Sequence, residues 1–113
     1  MKNLITILCL CSFLFSNIIE VSTKDTDGNI IIEYYKKHSL KKELLIIKVE
    51  SYYPNKKLNY EENYKDGKLD GKQTSYYQNG EIKQEENYKD GEFDGKQTYY
   101  YQNGQISSEG NYK

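Results

Sequence analysis

The chain has 113 residues, room for one domain, and 16 basic against 17 acidic side chains leave a net charge of −1. Every basic residue is lysine, so the forked guanidinium that reads guanine and clamps phosphate is missing, and nucleic acid is excluded as a sequence-specific partner. Thirteen tyrosines with no tryptophan and one proline suit extended strands with wet aromatic surfaces, and a charged fraction of 29% predicts a thin core.

Residues 1–22 have the layout of a secretory signal peptide: Lys2, an apolar run over 4–15, then the polar pair Ser16-Asn17. Even with Ile18 and Ile19 the run falls short of the roughly 20 residues that a spanning helix needs. The expectation is a signal-peptide helix and an exported product in the periplasm, envelope or extracellular space. Small residues at Ser16 and Ser22 both offer a cleavage point. Cys9 and Cys11 lie inside the apolar run, so the mature chain would have neither disulfide nor thiolate chemistry. Leu8 and Leu10 stand where a lipoprotein needs a small residue, so no lipid attachment is expected.

Residues 23–50 contain Ile30-Ile31-Ile32 and Leu44-Leu45-Ile46-Ile47, short β-branched stretches that predict strands, with Asp27-Gly28 and residues 36–39 as turns. A helix over residues 39–49 is the alternative. This segment is read as a degenerate first unit or a cap, because a one-layer sheet with an apolar face needs a cover.

Residues 51–113 repeat. Asn63-Tyr64-Lys65-Asp66-Gly67 returns as Asn87-Tyr88-Lys89-Asp90-Gly91, a shift of 24, and residues 64–80 match 88–104 closely. Each unit has two turn signals, Asp-Gly at 66–67 and 90–91 and Asn-Gly at 79–80 and 103–104. Read as two-residue type I′ loops, they predict an antiparallel meander of strands some 8 to 10 residues long. In that register Tyr77 faces Ile82, Gly71 faces Tyr88, Tyr88 faces Phe93 and Ile82 faces Tyr99. One face then carries Tyr53, Leu58, Tyr64, Leu69, Tyr77, Ile82, Tyr88, Phe93, Tyr99, Tyr101, Ile106 and Tyr112. The opposite, solvated face carries Tyr52, Tyr76 and Tyr100 with Glu61, Glu85 and Glu109, and sets Tyr76 against Lys83 and Thr74 against Glu85. The strand that closes the last half unit has no polar cap and is expected to leave an open edge.

Tyr-Tyr-x-Asn-Gly-x-Ile-x-x-Glu at 76–85 and 100–109, followed by Asn-Tyr-Lys-Asp-Gly and Asp-Gly-Lys, resembles the MORN-type repeat in the bacterial variant labelled the YwqK-type antitoxin family. The resemblance covers residues 51–113 and extends weakly back to Tyr34. It implies a protein- or lipid-binding scaffold, and the antitoxin label implies a partner toxin. Members often carry an aromatic after the Gly-Lys of each unit, where this chain has Gln73 and Gln97.

No residue set argues for catalysis. His38, the single histidine, is flanked by lysines and reads as a solvated turn residue, with no nucleophile or orienting group nominated beside it. Asp66 with Asp70, and Asp90 with Asp94, lack the ligand alternation of a calcium loop and read as turn formers. Glu61, Glu85 and Glu109 recur about 9.5 Å apart across two strands, a spacing compatible with inverting glycoside hydrolysis only in a cleft. The sequence therefore predicts an exported, all-β, non-catalytic repeat scaffold without cofactor or metal. It would bind a partner protein or an anionic envelope surface, with Tyr52, Tyr76, Tyr100, Glu61, Glu85 and Glu109 as the contact face. The alternatives are an antitoxin-like protein that neutralises a toxin, and an unrecognised glycan-acting enzyme.

Overall fold

Glycine and asparagine at fixed spacing set where the chain turns, and period-two alternation between them sets which side chains share a face. The computed structural model describes residues 17–38 and 40–113. Within them the chain is all strand and turn: β1 Ile18–Lys24, β2 Ile30–Lys37, β3 Leu44–Tyr52, β4 Leu58–Lys65, β5 Lys68–Leu69, β6 Gly71–Tyr76, β7 Ile82–Lys89, β8 Glu92–Phe93, β9 Gly95–Tyr100 and β10 Ile106–Tyr112. The main path is an open antiparallel meander, β1-β2-β3-β4-β6-β7-β9-β10, with β5 on β4 and β8 on β7.

Residues 1–16 of the expected signal segment lie outside the described residues. Residues 18–22 are strand, paired with β2 from Ile18 against Lys36 to Lys24 against Ile30. The segment 23–50 forms strands rather than the alternative helix, and it extends the sheet sideways instead of covering it. Its aliphatics supply the thin core, where Ile31 and Val49 are 7% and 6% exposed.

The two kinds of turn behave differently. Asp66 and Gly67, and Asp90 and Gly91, all have positive φ, as type I′ requires. Their register is the expected one, Tyr64 against Leu69 and Tyr88 against Phe93. The Asn-Gly turns are not two-residue loops. At 77–81 the Gly80 N–H donates to the Tyr77 carbonyl and the Tyr77 N–H to the Glu81 carbonyl. Only Gly80 takes positive φ, while the Asn79 side chain accepts from the Glu81 N–H. This is a type I turn closed by a left-handed residue, a three-residue loop that leaves a bulge in the following strand. The loop recurs at residues 25–29, 53–57 and 101–105, but after 25–29 the register runs on without a shift. At the other three loops the bulge corrects the expected pairing: Ile82 stands against Tyr76, Leu58 against Tyr52 and Ile106 against Tyr100. Tyr76 therefore does not face Lys83.

A second correction lies in mid-strand. The long strand expected after each Asp-Gly turn is broken before Gly71 and Gly95, whose φ values of 90° and 93° are incompatible with a straight strand. Beyond the break the register moves by two, so Tyr99 stands against Gln84 rather than Ile82. A slip of two keeps every side chain on its face. Tyr64, Leu69, Tyr88, Phe93, Tyr99 and Tyr112 accordingly share one side as expected, and the Phe93 ring lies 4.8 Å from that of Tyr88 and 5.2 Å from that of Tyr112.

Candidate functional site: two faces of a repeat sheet

The break costs backbone hydrogen bonds, and a side chain restores them. Gln97 places its amide in the gap: Oε1 accepts the Asn87 N–H at 2.9 Å and Nε2 donates to the Asn87 carbonyl at 2.9 Å. Gln73 treats Asn63 the same way, at 2.6 and 3.1 Å. The amide of each Asn reaches the next carbonyl, of Lys72 and of Lys96. Gln97 is 1% exposed and Gln73 6%. A side-chain amide offers the donor and acceptor of a peptide group, so it can close a ladder that the glycine kink has opened. These are the positions where the resembled family often has an aromatic, and here they are structural.

Repeats are also tied to one another at the three-residue loops. The Tyr53 hydroxyl donates to the Tyr76 carbonyl, and the Tyr77 hydroxyl to the Tyr100 carbonyl, both at 2.7 Å. The first tyrosine of each pair thus offers its backbone, and the second clamps the preceding copy to the next. Recurrence at the 24-residue shift was the available signal for both devices. Alternation alone, which treats Tyr53 and Tyr77 as face residues, missed them.

The six residues expected to form the contact face do stand on one side. Register links Glu50, Glu61, Thr74, Glu85, Thr98 and Glu109 in a continuous row across β3 to β10. Tyr52, Tyr76 and Tyr100 lie toward one end of it. The adjoining row supplies counter-charges: Lys48 is 3.4 Å from Glu61 and 3.3 Å from Glu50, Lys72 is 3.1 Å from Glu85, and Lys96 is 3.1 Å from Glu109. Tyr52 donates to the Glu50 carboxylate, which raises the Tyr52 phenol to about 12, with burial adding to the effect. Burial pushes Glu50 up, but the bonds from Tyr52, Tyr34 and Lys48 outweigh it and leave its carboxyl below the ordinary value. This face is internally paired, each of its glutamates Glu50, Glu61, Glu85 and Glu109 being held by a lysine.

Tyrosine and glutamate also alternate on the other face. Tyr35 donates to Glu33, Tyr64 to Glu62, and Tyr88 and Tyr99 to Glu86. The bond to Glu86, together with burial, raises the Tyr99 phenol to about 12. Burial and then the Glu62 bond push Tyr64 up as well.

The remaining candidates are turn residues. His38 accepts the Leu40 N–H at Nδ1 and gives its own N–H to the Glu43 carbonyl, and β2 runs on to Lys37, so that turn starts later than expected. Asp66 and Asp90 hold type I′ positions. Asp25 accepts from the Asp27 and Asn29 N–H groups, and the Asn29 side chain leads in holding its carboxyl below the ordinary value. Among the described residues no group of three or more His, Cys, Asp or Glu side chains could hold a metal ion.

A family profile described as a MORN repeat variant matches residues 46–66, 69–90 and 93–113, more than half of the chain. Its second and third segments start at Leu69 and Phe93, where the strands break. No curated protein and no solved structure matches.

Proposed function

The chain belongs to the MORN repeat variant family, and from that premise we propose that it is an exported, non-catalytic scaffold that binds a partner protein through its sheet. The observation that carries this reading is the open surface itself: copies of one unit present tyrosine with carboxylate on both faces, where a phenol supplies contact area and a polar tip at low entropic cost. Export rests on the layout of residues 1–17. Cleavage after Ser16 leaves β1 whole, whereas cleavage after Ser22 removes most of it and strips β2 of its partner. This reading sets the mature N-terminus at Asn17, and the bond from the Lys37 N–H to the Asn17 carbonyl supports it.

Cell fractionation with N-terminal sequencing tests export: Asn17 as first residue in an exported fraction supports it, and intact Met1 in the soluble cytoplasm overturns it in favour of the antitoxin-like reading. Partner capture by the mature chain tests the scaffold. Ala at Tyr52, Tyr76 and Tyr100 is expected to reduce capture if that row is the contact face, and equal recovery rejects the row.

A further inference from the structure

The two faces differ in charge balance. Every ion pair among the described residues lies on the face of Glu61, Glu85 and Glu109. On the other, register runs Val21, Glu33, Val49, Glu62 across β1 to β4, and Gln73, Glu86 across β6 and β7. No lysine stands in those rows. In β2 the same alternation reaches one only at Lys37, four residues from Glu33 and about 13 Å along the strand. Glu33, Glu62 and Glu86 instead accept phenol hydroxyls, which leaves their charge in place. A carboxylate has about four lone-pair sites, so each keeps acceptor capacity.

Glu33, Glu62 and Glu86 are two strands apart in turn, on β2, β4 and β7, a spacing of about 9.5 Å per step. An extended polyproline-type segment advances about 9.3 Å every three residues. Between Glu62 and Glu86 lies a depression of about 100 Å³, bordered also by Tyr60, Leu69, Gln73 and Tyr88. On that measure one water-sized group needs about 10–15 Å³, so an ammonium fits with adjoining methylenes. The neighbouring phenol rings suit both a lysine stem and its charge.

We propose that this face docks an extended basic polypeptide segment of a partner protein, with cationic side chains at every third residue. The assignment rests on the scaffold reading above and names the partner's chemistry. It also makes the face repellent to an anionic membrane.

The test is fluorescence anisotropy of the purified chain with three labelled peptides of equal length: Lys at every third position, the same lysines contiguous, and Glu in place of Lys. The spaced peptide is expected to bind at least tenfold more tightly than the contiguous one, and the acidic peptide not at all. Glu33→Gln, Glu62→Gln and Glu86→Gln together should weaken the spaced peptide at least tenfold, whereas Glu61→Gln, Glu85→Gln and Glu109→Gln should leave it bound. Should the first triple variant lose its native circular dichroism, peptide-induced amide shifts in the unmodified chain decide: shifts clustered at the three glutamates and their tyrosines support the proposal, and shifts at Lys48, Lys72 and Lys96 overturn it. Equal binding of both lysine peptides, or an unaffected first triple variant, also overturns it. Continued capture of a protein partner in that case preserves the scaffold reading, and absence of any partner ends both.

Discussion

A side-chain amide that replaces a peptide group matters most where no water can reach, and Gln97 is such a case. Truncating Gln97→Ala leaves the Asn87 N–H without its acceptor in the interior, and a buried unsatisfied group costs about 1–3 kcal/mol. Urea unfolding should show that loss, and Tyr77→Phe, which deletes one hydroxyl bond, should cost only about 0.5–1.5 kcal/mol. The tyrosine–glutamate bonds make a separate prediction. Tyr34 is raised to about 12 by burial and then by Glu50, and Tyr52 and Tyr99 are raised to about 12 by their glutamates. A phenol with a raised native pKa favours the protonated fold, so its contribution is complete below about pH 10, the unfolded value, and is lost as pH climbs toward 12. The urea midpoint should fall across that window. Tyrosinate absorbance of the native chain should lag behind that of the unfolded chain, and Glu86→Gln should bring Tyr99 forward.

At the scale of the element, one residue type decides each turn. The left-handed position of the three-residue loops holds Gly28, Gly80 and Gly104, but Lys56 occupies it in the 53–57 loop at φ 67°. A side chain in that region costs about 1–2 kcal/mol relative to glycine. Lys56→Gly should therefore stabilise by about 1 kcal/mol. The converse Gly80→Ala should destabilise by a similar amount, because nothing lies within 4 Å of an added Cβ and only the backbone contributes. A thermal unfolding series that ranks Lys56→Gly below the parent would show that the Lys56 side chain compensates for its backbone.

At the scale of the whole molecule, each strand contacts its neighbours and little else, so stability is close to a sum of units and interfaces. Deleting residues 71–94 joins Asp70 to Gly95, recreates the same kink, and sets the Tyr53 hydroxyl against the Tyr100 carbonyl. The shortened chain is expected to stay β-folded with a smaller urea m-value and a lower midpoint, since less surface is buried. Loss of all β signal would show that the units are not interchangeable.

Legibility followed the range of the interactions. The repeat, the all-β class, the type I′ turns and the shared side of Tyr64, Leu69, Tyr88, Phe93, Tyr99 and Tyr112 were readable, because local φ preferences and alternation act within a few residues. The row of Glu61, Glu85 and Glu109 was readable for the same reason. Hidden were the kinks at Gly71 and Gly95, the slip of two, and the amides of Gln73 and Gln97 that make the slip tolerable. Also hidden were the choice between a first unit beside the repeats and a cover over them for residues 23–50, the strand at residues 18–22, and the confinement of the ion pairs to one face. A slip of two leaves alternation unchanged, so no local pattern reports it. Only the assembled sheet, which must satisfy every buried N–H and carbonyl at once, selects the register that brings Glu62 and Glu86 together in a row without lysine.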